Sequence, residues 1–347
     1  MSKTHFVEPS ALSRQELFFK ALPRTNAPYY LLPDDSLTIV KELDQMDHAF
    51  SEKSLHESSF IPAGYDITVM KHPRYTPAIS HSHDFIEVVY VLHGCITNFI
   101  GTVPLALSHG NICIIGKHTP HALAAYSDDC ICYNLLIRSS TFEKVFLGIL
   151  PENDLLSAFI MKSLYGSYTN SYLYFPAGPD QRIMDCFFNI YEESLQNKPY
   201  SRHMLNTLVS TFFITLLRHY SALAISSSPV KQNSANQNIS AILYYIQQHY
   251  DTITMKKLAS LFHYSERHLG RILREYTNCS FKDLIHQLRL SKAAEMLKNT
   301  ELPVTDIITD IGYTDYGFFY RLFKSEYHLT PAEYRKKYAC KRGSSDT

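Results

Sequence analysis

The sequence predicts an α+β multidomain chain: an N-terminal antiparallel β-barrel of jelly-roll type with a helical extension, then an all-α domain carrying two helix-turn-helix motifs. Three observations predict it. Short β-branched and aromatic runs recur between glycine-bearing turns from Ile67 to Ile137. From Met204 onward the apolar residues fall in pairs four apart, the spacing of a helix face. Past a polar stretch at 224–238, a helix-turn-helix pattern occurs twice before residue 330.

The bulk numbers agree with two or more modules. The chain has 347 residues, 45% hydrophobic and 19% charged, long for one core. No run reaches the ~18 apolar residues of a membrane span, and "MSKTHFVEPSALSRQELFFKALPR" lacks the basic-then-apolar pattern of a secretory signal. These features predict a cytoplasmic protein with no membrane partner. The seven cysteines, at 95, 113, 130, 132, 186, 279 and 340, are odd in number and scattered, as reduced thiols are. Cys130 and Cys132 share a strand face, but no second pair completes a metal site. Net charge is zero, yet the residues from Asn238 onward carry 16 Lys and Arg against 12 Asp and Glu. The C-terminal part is therefore the candidate for a nucleic-acid partner.

Along the chain, "SRQELFFKAL" and "SLTIVKELDQM" predict two short helices in residues 1–60, with no chemistry attached. The strands follow: "ITVM", "FIEVVYVL", "CITNFI", "VPLAL", "NICII", "HALAAY" and "CICYNLLI", with Gly94, Gly101, Gly110 and Gly116 at the turns. In "MLNTLVSTFFITLLRHY", the apolar residues Met204, Leu205, Leu208, Val209, Phe212, Phe213, Leu216 and Leu217 form one broad stripe. That stripe suits packing against the barrel or a subunit interface. "AISSSPVKQNSANQN", Ala224 to Asn238, has a linker's composition.

In the C-terminal part, Ile239, Ile242, Leu243 and Ile246 share a helix face. The run "TMKKLASLFHYSERHLGRILREYT" then gives helix, break and second helix, with Ser265 as N-cap. Leu269, Ile272, Leu273 and Tyr276 make the inner side of that second helix, leaving Glu266, Arg267, His268, Arg271 and Arg274 outside. "VTDIITDIGYTDYGFFYRLFKSEYH" repeats the arrangement, with an N-cap at Thr314, with Phe319, Leu322 and Phe323 inward, and with Arg321 and Lys324 free for contact. Between them Phe281 to Asn299 reads as a helix of roughly 28 Å, at about 1.5 Å per residue. That length can seat two reading helices near the ~34 Å repeat of B-DNA.

"LASLFHYSERHLGRILREYT", "RLSKAAEMLKNT" and "DIGYTDYGFFYRLFKSEYHLTPAEYR" together resemble the AraC/XylS family of bacterial transcription regulators over residues 239–338. The resemblance implies promoter binding beside RNA polymerase, with two reading helices in adjacent grooves. Carried over by position, Glu266, Arg267 and Arg271 of the first reading helix face bases, flanked by His268 and Arg274. The second presents Tyr316, Phe318, Tyr320 and Arg321, with Lys324. Gly270 and Gly317 stand where the family often has longer or polar side chains. Asn278 and His328 stand at turn positions where it favours glycine, and Ile308 replaces an alanine.

One stretch of the barrel carries its own pattern. In "HSHDFIEVVYVLHG", His81, His83 and Glu87 have the same parity as Val89 and Val91, so a regular strand points all five to one face. With Gly94, Gly110 and His121 this resembles the two motifs of the cupin superfamily, although Gly116 replaces a usual proline. In metal-dependent cupins the corresponding residues ligate iron, manganese or a similar ion. Sensor barrels of AraC-type regulators keep histidines near these positions as polar groups around an effector cavity. Joined to a DNA-binding domain, the pattern implies that His81, His83, Glu87 and His121 bind an effector, with no metal, cofactor or catalytic residue.

The resulting map is an extension at 1–60, a cupin-like sensor barrel at 61–140, and a dimerising helical segment at 141–223. A linker follows at 224–238, then the DNA-binding domain at 239–340 and a tail at 341–347. The functional expectation is an effector-responsive activator of a carbohydrate uptake or catabolism operon, acting as a homodimer on promoter DNA with a sugar as effector. Control of virulence or stress genes, and a metal-dependent cupin enzyme fused to a DNA-binding module, are the alternatives.

Overall fold

The computed structural model describes residues 11–21, 54–147 except 63, 77 and 102, then 159, 163, 171–226 except 197, and 239–338 except 278. The expected helix "SLTIVKELDQM", residues 227–238 of the linker, Asn278 and the tail lie outside them. The chain divides into two compact units, 1–146 with 168–229, and 147–167 with 230–347.

In the first unit, helix α1 (Arg14–Ala21) precedes β1 (Ser54–Leu55) and α2 (Glu57–Phe60). The β segments follow: β2 (Ile67–Lys71), β3 (Ser82–His83), β4 (Ile86–His93), β5 (Cys95–Ile100), β6 (Val103–Ser108), β7 (Ile112–Ile115), β8 (His121–Ala124) and β9 (Ile131–Ile137). After α3 (Ser139–Leu147) come β10 (Tyr172–Phe175), α4 (Gln181–Ser194), α5 (Ser201–Tyr220) and β11 (Ile225–Ser226). The strands form a six-stranded sheet in the order β11-β10-β7-β4-β9-β2 and a three-stranded sheet β6-β5-β8, all antiparallel, while β1 pairs with β3 in parallel.

Alternation fixes what lies between the two sheets. Val89 and Val91 of β4, Ile96 and Ile100 of β5, Leu107 of β6, Cys113 and Ile115 of β7 and Leu123 of β8 pack there with Cys130 and Cys132. Both of these thiols are buried. Burial pushes Cys130 up to about 12 and Cys132 well above its ordinary value, so both stay neutral and are poor metal ligands. The opposite face of β4 and β9 carries Tyr90 and Tyr133, whose rings meet Phe187 of α4 at 4.9 and 6.1 Å, and Phe212 of α5 lies 5.8 Å behind. Leu205, Val209, Phe212, Phe213, Leu216 and Leu217 are buried as the stripe predicts. Met204 departs from it, exposed with Ile214 on the outer side of α5.

The strand β10 is absent from the sequence reading. It enters the sheet beside β7 from a segment about 55 residues later, and the turn before β7 is shaped to receive it. Gly110 has φ +84°, and a Cβ there would come within 1.9 Å of the Gly178 backbone. Only glycine permits that approach.

Helix α1 is held by a buried ion pair. Arg74 donates from Nε to Glu16 Oε1 at 2.9 Å and from its backbone amide to the same oxygen at 2.8 Å, while its Nη1 reaches the Asp128 carbonyl at 2.6 Å. Burial would raise the Glu16 carboxyl, but bonds from Arg74 and Ser13 outweigh it and hold the group at about 2. With the folded value depressed from 4.5, this stabilisation is full above the ordinary value and fades as pH falls toward 2. Glu16→Gln is expected to cost about 3 kcal/mol at neutral pH, because it strands a buried guanidinium. Thermal unfolding should show the gap between wild type and variant closing in acid.

The second unit is all helix: α6 (Ile239–Gln248), α7 (Met255–Leu261), α8 (Glu266–Thr277), α9 (Phe281–Asn299), α10 (Val304–Asp310), α11 (Tyr316–Tyr327) and α12 (Pro331–Tyr338). The first half buries Ile242, Leu243, Ile246, Leu258, Leu269, Ile272 and Leu273. The second packs Leu297, Ile307, Ile308, Ile311, Phe319 and Phe323 into one core, with Ile308 fully buried.

Candidate functional sites: a paired helix-turn-helix surface and a buried histidine cluster

Each helix-turn-helix is built from caps and a turn. Thr254 accepts from the Lys257 amide at the start of α7, and Ser265 accepts from the His268 amide at the start of α8. On α8, Glu266, Arg267, His268, Arg271 and Arg274 are all exposed, opposite the fully buried Leu269, Ile272 and Leu273. Arg271 has only weak neighbours, Glu275 at 3.5 Å and His268 at 3.4 Å, so its guanidinium is free to rearrange toward a ligand. Among these side chains three cations face one carboxylate within the reading surface.

The second motif departs from expectation at two points. Asp315 caps α11, accepting from the Phe318 amide at 2.8 Å, whereas Thr314 was expected to. A charged acceptor one residue later sets the helix start, and it also meets the positive end of the helix dipole. Phe318 does not face outward. It is half-buried against His286 and Tyr313, at ring distances of 5.4 and 6.1 Å. Tyr316, Tyr320, Arg321 and Lys324 are exposed as expected. His328 ends α11 at φ +56°, the left-handed cap that a glycine would adopt at less cost.

In the barrel, the chain bends at Asp84 and Phe85, so His81 and His83 precede β4 and do not extend it. They still converge with Glu87, because His81 bridges backbone to backbone to His121 of β8 in the three-stranded sheet. Glu87 Oε2 lies 3.1 Å from His83 Nε2 and 2.9 Å from His121 Nε2. His83, Glu87 and His121 are buried and His81 half-buried. Asn98 Oδ1 and His72 Nε2, both on inward-facing positions, are buried without a hydrogen-bond partner.

The other ring nitrogens decide the charge. Nδ1 of His81, His83 and His121 faces the carbonyls of Ile79, Phe85 and Thr119 at 3.0, 2.8 and 2.9 Å. Carbonyls only accept, so each Nδ1 carries a hydrogen, and Nε2 donates to Glu87 only if the ring is an imidazolium. Each contact with Glu87 Oε2 therefore needs a proton or a cation between the carboxylate oxygen and the ring nitrogen. Burial would raise the Glu87 carboxyl, but the His121 and His83 contacts hold it well below the usual range. Burial, with His121 nearby, lowers His81 to about 3 and keeps it neutral.

The donor atoms of His81, Glu87 and His121 lie within 4.8 Å of one another. Nitrogen and carboxylate donors with Nδ1 anchored on carbonyls suit a divalent ion of the zinc, iron or manganese class. His81, Glu87 and His121 would hold it, and it would supply Lewis-acid polarisation of an oxygen donor.

Two outcomes test these assignments. Glu87→Gln removes the only buried carboxylate at the cluster and is expected to destabilise the barrel by about 3 kcal/mol in thermal unfolding. Asp315→Ala should cost about 1 kcal/mol, with Thr314→Ala within about 0.5 kcal/mol of wild type.

Comparison with known proteins bears on the chain as a whole. Residues 258–337 match a helix-turn-helix domain family. The HTH-type transcriptional activator RhaS of Escherichia coli O157:H7 is 26% identical over 287 residues, 81% of this chain and 96% of that protein, and RhaS of strain K12 matches equally. Among solved structures, ToxT from Vibrio cholerae covers 78% of this chain and 97% of its own at 15% identity and a TM-score of 0.37. The C-terminal domain of AraT from Geobacillus stearothermophilus covers 35% and 94% at 27% identity and a TM-score of 0.30. An N-terminal antiparallel β unit followed by a helix-turn-helix domain at 258–337, in a chain similar to a transcriptional activator over nearly that protein's whole length, is the arrangement of a DNA-binding transcriptional regulator, and it agrees with the resemblance to the AraC/XylS regulators.

Proposed function

We propose that the protein is an effector-responsive activator acting in the cytoplasm on the promoter of a carbohydrate uptake or catabolism operon. One observation carries the DNA side of this reading: Arg267, Arg271 and Arg274 stand exposed on α8, directly behind which Leu269, Ile272 and Leu273 are fully buried. An arginine so placed can pair bidentately with guanine in the major groove. On α11 the exposed Tyr316 and Tyr320 offer thymine-methyl and sugar contacts, and Arg321 and Lys324 reach phosphates. The first motif thus supplies most of the base discrimination and the second mostly fixes register.

The sensor side rests on the polar groups inside the barrel. His81, His83, Glu87 and His121, with Asn98 and His72 carrying unmet hydrogen-bonding capacity, suit a hydroxyl-rich effector. Activation by RhaS relatives supports the sign of regulation. A homodimer forms along the outer side of α5, where Met204 and Ile214 are exposed. Effector binding then favours the arrangement that recruits RNA polymerase. Among the described residues no helix is long and apolar enough to cross a membrane.

Genome-wide footprinting of the bound protein tests the regulon: sites beside genes for sugar transport or breakdown are expected, and sites confined to virulence or stress genes would refute the carbohydrate reading. At such a site Arg271→Ala should lose about 1–3 kcal/mol of discrimination at one base position. An unchanged preference across a binding-site library would remove Arg271 from base reading.

A further inference from the structure

The two helix-turn-helix motifs of the second unit meet at one side chain. Arg289, half-buried midway along α9, donates from Nε to the Tyr250 carbonyl at 3.0 Å, from Nη2 to the Asp251 carbonyl at 2.7 Å, and from Nη1 to the Gly312 carbonyl at 2.6 Å. Tyr250 and Asp251 follow α6 in the first motif's half, and Gly312 is the turn of the second motif. The same guanidinium lies 5.1 Å over the Tyr313 ring. One turn earlier on α9, His286 stacks parallel to that ring, with its Nδ1 2.6 Å from the Tyr313 hydroxyl. Gly312 brings the halves into direct contact: its φ is +84°, and a Cβ would stand 2.3 Å from the Asp251 carbonyl oxygen.

We infer that Arg289, backed by His286 on Tyr313, is the positioning residue that fixes the angle between α8 and α11 and thereby the spacing of the two DNA half-sites. This rests on the reading that both helices enter major grooves. The reason is geometric. An arginine fork has five donors in a rigid plane and can bind three carbonyls from two segments at once, whereas a lysine offers a point charge on a flexible stem. One added base pair moves a half-site by ~3.4 Å and turns it by ~35° about the duplex axis. A rigid joint cannot follow that change, and a loosened one can. His286 is engaged with Tyr313 and Arg289 with the carbonyls of Tyr250, Asp251 and Gly312, and neither belongs to the exposed sets of α8 and α11.

The test uses the full chain and duplexes carrying its own two half-sites, taken from a wild-type footprint, with the spacer lengthened or shortened by one base pair. Wild type is expected to lose at least ~10-fold in affinity on either change, and Arg289→Lys less than ~3-fold, with equal affinity for an isolated first half-site. A variant with the wild-type spacing profile, or one weakened uniformly on all duplexes, overturns the proposal. If Arg289→Lys fails to unfold cooperatively, Tyr313→Phe, which removes only the hydroxyl held by His286, takes its place and must flatten the profile in the same direction. A wild-type protein that binds a two-part site with no spacing preference also overturns it. One that protects no two-part site refutes the DNA reading itself.

Discussion

Carbonyls stranded where helices and strands end need a donor, and in both units that donor is a cationic or imidazole side chain sent from elsewhere in the chain. Arg289 serves three such carbonyls. Arg138 donates to those of Ile61, Pro62 and Tyr65, and Arg74 to that of Asp128. The three barrel histidines each give Nδ1 to one. A buried carbonyl without a partner costs on the order of 1–3 kcal/mol, so each of these side chains stabilises a chain reversal that local sequence alone would leave loose. The functional geometry follows from that need. The histidines are held by their carbonyls, and only then do their remaining nitrogens converge on Glu87.

Much of this architecture was legible in the residues. The 19-residue helix from Phe281 to Asn299 has the predicted bounds, because Ser280 and Asp283 form a capping box and Leu284, Ile285, Leu288 and Leu297 keep helical spacing. β5 coincides with "CITNFI" and six other strands fall within two residues of their predicted ends. What escaped depends on distant partners. "YLYF" is only four residues long, and it becomes β10 by pairing along the edge of β7. Phe318 sits on a face that periodicity alone leaves ambiguous, and His286 across the gap decides it. Asp315 and Thr314 are both acceptable caps, and tertiary packing chose between them.

The histidine cluster shows the same division. Parity placed His81, His83 and Glu87 together, and they do converge, but through a bend at Asp84 and Phe85 and not through a continuous strand. Which nitrogen of each ring carries the hydrogen had no sequence signal. It follows from which backbone carbonyl each ring meets, a matter of fold. The two sites also differ in kind: the barrel's is enclosed and already hydrogen-bonded, whereas the α8 arginines are exposed and Arg271 keeps only long contacts.

The edge strand β11 has a mechanical consequence. Among the described residues, Ile225 and Ser226 alone pair with β10 on its outer side, at the margin of the six-stranded sheet. With two ladder pairs, β11 opens at lower cost than the strands behind it, which have four to seven pairs each. Fraying at this margin leaves β4 and the carboxylate it carries in place.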